Sequence, residues 1–328
     1  MTPFEYVRAA DEGHAVRVAS EPEVQMLAGG TTLVDLMRLE VRKPKRVVDL
    51  NGLPLDQIEE LPGGGLKLGA LARNADVAAH RAVVERFPVL SEALLAGASG
   101  QVRNMATTAG NLLQGTRCPY FRDLASACNK RAPGTGCSAM DGWNRSHAIL
   151  GGSDNCIAVH PSDMAVAMVA LDAIVHTHLP GGTTRQIAIT DLHTLPGQHP
   201  EIESVLGRGE LITHVELPPR AFAKTSRYVK VRDRASFAFA LASAAVCLEL
   251  NGRTIRDARI ALGGVATKPW RSPEAEHVLT GRTVSREVFE KAALAALQTA
   301  QPRPDNAFKV ELARRTIVRA LSRAGGLA

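Results

Sequence analysis

The chain has 328 residues, of which 45 % are apolar and 22 % charged, a composition typical of a globular protein long enough for two or more domains. Its net charge of +6 comes from scattered lysines and arginines, and its 13 aromatic residues are dispersed, which argues against a nucleic-acid-binding face. No run of about 18 apolar residues occurs, so no membrane span is predicted.

The first residues, MTPFEYVRAADEG, have early acidic side chains and lack a basic segment followed by an apolar one. We therefore expect no secretory signal and, from this sequence by itself, a cytoplasmic protein. A periplasmic location would require co-export with a partner that carries a signal.

The amino-terminal two thirds predicts a mixture of strands and helices, because short apolar runs alternate with segments of helical spacing. The predicted strands cover 24–27, 46–52, 62–71 (after a glycine turn), 173–179, 184–189 and 211–218. The predicted helices cover 32–40, 75–87, 88–98 and 161–171, the last beginning near Ser162 or Asp163. Residues 100–160 are rich in Gly, Pro, Asn and Cys and have weak periodicity.

A domain boundary is predicted near Pro218 and Pro219. Beyond it, three strands are predicted at 226–234, 239–250 and 258–266, and then three helices at 272–280, 284–300 and 305–323. A block of strands followed by a block of helices indicates an α+β domain. Cys247 alternates with apolar neighbours on one of these strands and is interpreted as an inert core residue.

Four of the five cysteines fall within 39 residues: Cys118, Cys128, Cys137 and Cys156. Disulfides would need an oxidising compartment, which the start of the chain does not indicate. A structural zinc site would favour C-x2-C pairs, which are absent here, whereas an iron–sulfur cluster tolerates wider spacing. Spacing alone leaves zinc and iron–sulfur open. Tyr120 and Arg122, between the first two cysteines, are interpreted as packing residues of this loop.

Two small-residue loops are candidates for holding a pyrophosphate. LAGGTTL at 27–33 lies between a predicted strand and helix, and RNMATTAGNLLQG at 103–115 is the second. Glycines allow a ligand to approach the backbone closely, and a helix start favours an anion. No G-x-G-x-x-G follows a strand, so a Rossmann site is not supported.

The order of five motifs along the chain allows a more specific prediction of the function. The motifs are AGGTTL, GQVRNMATTAGNL, HPSD, GELITHVELP and KVRDRASFAFALAS. Over essentially the whole chain they resemble the FAD-binding subunit of the molybdenum hydroxylase (xanthine dehydrogenase) family. The resemblance is strongest to the aldehyde oxidoreductase branch, whose flavin subunit carries an extra [4Fe–4S] cluster. The cysteine stretch lies where that branch has its insert.

The resemblance implies the fold and the domains. An FAD-binding domain of the vanillyl-alcohol-oxidase/PCMH type, with two α/β subdomains, is expected over residues 1–218, with a [4Fe–4S] insert at about 115–158. An α+β domain of the CO-dehydrogenase flavoprotein type, with a three-stranded antiparallel sheet and helices, is expected over residues 219–328.

The resemblance also implies roles for individual residues. The first FAD loop would comprise Met26, Leu27, Ala28, Gly29, Gly30, Thr31, Thr32, Leu33 and Val34, and the second would comprise Thr107, Ala109, Gly110 and Asn111. Asp163 would contact the ribityl chain or the adenosine half, and Ile212 and Lys230 would approach the isoalloxazine. The four clustered cysteines would ligate the [4Fe–4S] cluster. Thr32 departs from the family's usual Asn or Asp, and Ala109 from its usual second glycine.

The implied activity is electron transfer in an aldehyde oxidoreductase. Partners would be a large molybdenum-cofactor subunit and a small subunit with two [2Fe–2S] clusters, in a heterotrimer that passes electrons through FAD to an external acceptor. Three alternatives stay open: the flavin subunit of a related molybdenum hydroxylase for another substrate (xanthine, hydroxybenzoyl-CoA or an N-heterocycle); a zinc-stabilised nucleotide-binding module; and a stand-alone FAD reductase resembling the cell-wall sugar-nucleotide reductase.

Overall fold

The computed structural model describes residues 1–327, and their fold begins with a small parallel sheet. Its strands lie in the order β1-β3-β2, and the two connections between them are helical. The elements are β1 (Glu5–Arg8), α1 (Glu12–Ala19), β2 (Val24–Leu27), α2 (Leu33–Arg38) and β3 (Arg46–Asp49). The strand-to-helix turn between β2 and α2 is the predicted first loop.

A five-stranded sheet with antiparallel pairing follows, in the order β4-β5-β8-β6-β7. Its strands are β4 (Ile58–Glu60), β5 (Leu66–Gly69), β6 (Ile174–His178), β7 (Thr184–Ala188) and β8 (Leu211–Leu217). More than 100 residues separate β5 from β6, and this long excursion carries the second loop and the cysteines. The apolar faces of β5, β6 and β8 form the largest core together with the helices of that excursion.

The excursion contains seven helices within the described residues. They are α3 (Asn74–Ala79), α4 (Arg81–Arg86), α5 (Pro88–Ala96), α6 (Gly100–Met105), α7 (Thr108–Leu112), α8 (Pro119–Arg122) and α9 (Asp163–Ala170); α10 (Ile189–Leu192) follows β7. Ser162 begins α9 as its N-cap, since its hydroxyl accepts a hydrogen bond from the Ala165 amide at 2.9 Å. Asp163 is therefore free for another role.

The carboxy-terminal domain is an antiparallel sheet covered by helices. The sheet order is β12-β11-β10-β9, so it has four strands and not the predicted three. The elements are β9 (Ser226–Val231), β10 (Ala242–Asn251), β11 (Thr254–Gly263), β12 (Trp270–Arg271), α11 (Pro273–Leu279), α12 (Arg286–Ala296) and α13 (Phe308–Ala324). The fourth strand is only two residues long and pairs at the edge with Ala261 and Leu262. Cys247 is fully buried on β10, as predicted.

The carboxy-terminal domain also holds the cysteine insert in place. Lys309 of α13 is fully buried, and its ammonium donates to the carbonyls of Ser146, His147 and Gly264 at 3.1, 2.9 and 2.7 Å. These three acceptors replace the water that burial removes, although burial still lowers the pKa of Lys309 to about 7. No helix within residues 1–327 is long and apolar enough to cross a membrane.

Candidate cofactor sites

Two large cavities meet at the two predicted loops. The first has a volume of about 460 Å³ and lies against β2, α2 and β8. The second, of about 620 Å³, lies against α5, α6, α9 and β9. Both are lined by Thr31, Thr32, Gly110 and Gln114, so a ligand that spans these residues would extend into both cavities.

Most of the residues predicted to contact FAD line these cavities. The first is lined by Met26, Ala28, Gly29, Gly30, Thr31, Thr32, Leu33, Thr107, Ala109, Gly110 and Ile212. The second is lined by Thr31, Thr32, Gly110, Asn111, Asp163 and Lys230, and also by Gly97 and Arg103. Leu27 and Val34 line neither cavity. Their side chains lie beside Gly30.

The first loop has the geometry and the donors of an anion site. At Gly29 an added Cβ would lie 1.9 Å from the Met105 carbonyl oxygen, so the loop approaches α6 more closely than any other residue type permits. Gly30 has φ +72°, which favours glycine. Within the described chain, the backbone N–H groups of residues 29–32 donate to no protein acceptor. They are available to a bound anion.

A polar network holds the first loop in this position. Asn51 donates from Nδ2 to the Ala28 carbonyl at 2.9 Å, and Arg73 donates to Asn51 Oδ1 at 3.1 Å. Arg73 also donates to the Met105 carbonyl at 2.6 Å, next to the second loop. One guanidinium therefore ties both loops together.

The second loop uses its own amides within the fold. Thr108 and Ala109 donate their N–H groups to the carbonyls of Ala72 and Ala70 at 3.0 and 2.9 Å. The Gly110 N–H donates to the Thr107 hydroxyl at 3.3 Å. The loop therefore forms a wall for a ligand, and these three amides are not available to a bound anion.

A buried ion pair closes the second cavity. Lys230 Nζ lies 2.7 Å from Asp163 Oδ2, and the two side chains are 3 % and 9 % exposed. Tyr228 donates its hydroxyl to the other Asp163 oxygen at 2.6 Å, and Lys230 donates to the Ala96 carbonyl at 3.1 Å. Burial and the Asp163 charge raise the pKa of Tyr228 well above its usual value, so this phenol stays a donor.

The four clustered cysteines line one small cavity. Cys118, Cys128, Cys137 and Cys156 surround a space of about 10 Å³. Residues 128 and 137 form a β-bridge, and Gly134 and Gly136 shape the turn between them with φ values of +85° and +96°. None of the cysteines within residues 1–327 is in a disulfide. In the same part of the chain, no three His, Cys, Asp or Glu side chains are close enough together to hold a single metal ion.

Backbone amides and one imidazole face the sulfur atoms. N–H groups of Tyr120 and Phe121 approach the Cys118 sulfur, and the Ala158 N–H lies 3.4 Å from the Cys156 sulfur. His147 Nε2 is 3.1 Å from Cys118 Sγ. Burial raises the pKa of Cys118 to about 12 and that of Cys156 to about 11, so both are thiols at neutral pH unless a cation replaces the proton.

Two histidines separate the cysteine cavity from the first cavity. The rings of His160 and His193 lie 4.3 Å apart, and both ring Nε2 atoms are within hydrogen-bond distance of the Leu112 carbonyl, at 3.3 and 2.8 Å. Burial lowers the pKa of each imidazole, so both are neutral. His160 lines the first cavity, and its ring nitrogens face the Leu112 carbonyl and the Ser162 N–H.

Several cavity residues had no local signal in the sequence. The first cavity is also lined by Glu203, Ser204 and residues 206–211, in the segment before and at the start of β8. The second is also lined by Arg117, Arg122, Arg234, Phe237 and Phe239. Arg122 was interpreted as a packing residue, yet it lines this cavity. Only tertiary structure brings these segments to the loops.

Two protein-family models match this chain, one over its amino-terminal part and one over its carboxy-terminal part. The family model described as the FAD binding domain in molybdopterin dehydrogenase matches residues 2–220, and the CO dehydrogenase flavoprotein C-terminal domain matches residues 227–324. The solved structure of carbon monoxide dehydrogenase from Hydrogenophaga pseudoflava contains a similar chain, with a TM-score of 0.76, 26 % identity and 99 % coverage of both chains. The predicted fold class is confirmed.

Two curated relatives extend the comparison. The chain is 50 % identical to the aldehyde oxidoreductase FAD-binding subunit PaoB of Escherichia coli K12, over 99 % of both chains. It is 27 % identical to the glyceraldehyde dehydrogenase medium chain of Sulfolobus acidocaldarius, over 92 % of this chain and 90 % of the relative. The chain therefore belongs to the FAD-binding medium subunits of the molybdenum hydroxylase family and is an oxidoreductase subunit.

Proposed function

We propose that this chain is the FAD- and [4Fe–4S]-containing electron-transfer subunit of a molybdenum-dependent aldehyde oxidoreductase. Its partners would be a large molybdenum-cofactor subunit and a small [2Fe–2S] subunit, and an external acceptor would take the electrons. The observation that carries the proposal is the convergence of the two loops, Asp163 and Lys230 on one pair of joined cavities.

The joined cavities fit an FAD molecule. Their shared wall at Thr31, Thr32 and Gly110 would hold the pyrophosphate, with unpaired N–H groups of the first loop as donors. The two larger spaces on either side would hold the adenosine and flavin ends. The ion pair of Lys230 and Asp163 places a hydrogen-bond donor and an acceptor at the wall of the second cavity.

The cysteine cavity supports metal ligation by its four thiols over a disulfide. Four thiols line one space, and backbone N–H groups approach two of the sulfurs, where they would tune the potential of a bound cluster. The space is smaller than a cubane cluster. The glycine-rich segments around it would therefore move apart when the thiols lose their protons and ligate iron. Ligation and folding of the insert would be coupled in this way.

Each bound group would supply its own redox chemistry: the flavin exchanges electrons singly or in pairs, and the cluster exchanges them singly. The chain's residues bind and orient these groups. Arg73 and Asn51 fix the first loop, Asp163 and Lys230 close the second cavity, and Lys309 holds the insert against the carboxy-terminal domain.

Aldehydes are favoured as the substrate class because 50 % identity to an aldehyde oxidoreductase subunit far exceeds the 22–27 % identity to subunits of xanthine and nicotine enzymes.

Turnover of an aldehyde with an artificial electron acceptor tests the proposal. We expect no turnover by the isolated chain and turnover by the complex co-expressed with the two partner subunits. The control is the same pair of partner subunits without this chain, which should reduce a flavin-dependent acceptor far more slowly. Turnover by the isolated chain at the rate of the complex would indicate a self-sufficient flavoenzyme instead.

A further inference from the structure

Two arginines of the cysteine insert form ion pairs with the same carboxylate, that of Asp35, which lies outside the insert. Arg117 Nη1 lies 3.2 Å from Asp35 Oδ2, and Arg122 Nη2 lies 2.6 Å from the same oxygen. Asp35 belongs to α2, the helix that begins directly after the first loop. The contact therefore connects the insert to the helix that directly follows the unpaired backbone donors of the first loop.

The two guanidinium groups have donors to spare. Each carries five N–H groups, and each makes only this one hydrogen bond with the described part of the protein. Both side chains are three quarters buried, with 23 % of each exposed. Two largely buried cations against one carboxylate leave an excess of positive charge that a bound anion would balance, although the Arg117 guanidinium also lies over the Phe239 ring.

The location of this charge indicates which anion balances it. The second cavity is lined by Arg103, Arg117, Arg122, Arg234 and Lys230 against only Asp35 and Asp163, a formal excess of three positive charges. The first cavity is lined by two arginines and two glutamates and has no such excess. Thr31 and Thr32, which join the cavities, lie on the same loop–helix segment as Asp35.

We infer that Arg117 and Arg122 bind the pyrophosphate of FAD from the side of the second cavity. The inference rests on the proposed FAD site and adds to it a contribution from the cysteine insert. The first loop would donate backbone N–H groups, while the two arginines would add the formal positive charge that backbone amides do not carry. Because Arg117 and Arg122 flank Cys118, the segment that presents a thiol to the cysteine cavity also presents two cations to the flavin.

The test is flavin affinity of the full chain after removal of its flavin, with FAD and riboflavin as the probes. We expect Arg117→Gln and Arg122→Gln each to weaken FAD binding about 10- to 100-fold, since a charge-assisted hydrogen bond is lost. Riboflavin, which lacks phosphate, should bind the variants as it binds the wild type. Arg122→Lys should recover part of the FAD affinity because it keeps the charge.

Arg145→Gln is the matched control, since Arg145 lies on the same insert but pairs with exposed Asp233, outside both large cavities. Its FAD affinity should be that of the wild type. A second measurement is the salt dependence of FAD dissociation, which should be shallower in both glutamine variants because fewer charges face the phosphates.

Three outcomes would overturn the assignment. Unchanged FAD affinity in both glutamine variants, equal weakening of FAD and riboflavin, or an unchanged salt dependence would each show that the arginines do not bind phosphate. In all three, the wild-type chain still binds FAD and the proposed function stands. A wild-type chain that binds no FAD would overturn the proposed function together with this inference.

Discussion

Single replacement of any of the four clustered cysteines by serine is expected to remove about four irons per chain, because a cluster of this type needs four thiolates. The affected residues are Cys118, Cys128, Cys137 and Cys156, which line one cavity. Loss of the cluster should also lower the stability of the insert, since ligation and folding are coupled. Iron and zinc analysis of the natively purified complex, with its absorption spectrum, is the measurement.

Cys247→Ser is the matched control for this series. It makes the same chemical change at a buried position in the carboxy-terminal sheet, where the Ala170 carbonyl, 3.5 Å away, can accept a hydrogen bond from the new hydroxyl. Its iron content should equal that of the wild type. One zinc and no iron in the wild-type complex would refute the cluster, and full iron retention in Cys118→Ser would remove that residue from the ligand set.

Substitutions in the first loop should abolish or severely weaken FAD binding. The Cβ of Gly29→Ala would meet the Met105 carbonyl at 1.9 Å, and Gly30→Val would place a branched side chain at φ +72° and 3.1 Å from the Val34 side chain. Overpacking of this kind costs about 1–3 kcal/mol, or roughly 5- to 150-fold in affinity, if the loop moves away to relieve it. FAD per chain and the FAD dissociation constant report the loss.

Gly100→Ala separates this effect from a general response to losing a glycine. Gly100 begins α6 with no heavy atom within 4 Å of its added Cβ, and it lines neither large cavity. Its variant should keep full FAD occupancy. Wild-type occupancy in Gly29→Ala or Gly30→Val would mean that the first loop is not the pyrophosphate loop.

FAD should be released on acid denaturation, because we expect no covalent attachment.

Regular elements with strong periodicity were predictable from the sequence. The strand at 24–27 and the helix after Pro88 lie where apolar spacing and a first-turn proline indicated them. The helix predicted over 75–87 is instead two helices, because His80 adopts extended backbone with ψ 128°. No glycine or proline marks that break. Both helices pack against α5.

The site was only partly predictable, because most of its walls come from distant segments. Local chemistry identified the first loop, whose glycines are required by a close approach and a positive φ. It could not identify Arg117 and Arg122 as cavity residues, since the direction of each side chain is set by its tertiary contact with Asp35. The edge strand Trp270–Arg271 was missed for a similar reason: two residues give no period.

The central claim is that electrons from an aldehyde reach the FAD of this chain through its partner subunits. The most direct measurement is the flavin absorbance after anaerobic addition of aldehyde, in the complex and in the isolated FAD-loaded chain. We expect the flavin absorbance to bleach in the complex, and to stay constant in the isolated chain. Bleaching of the isolated chain at the rate of the complex, or a flavin in the complex that aldehyde never reduces, would contradict the claim.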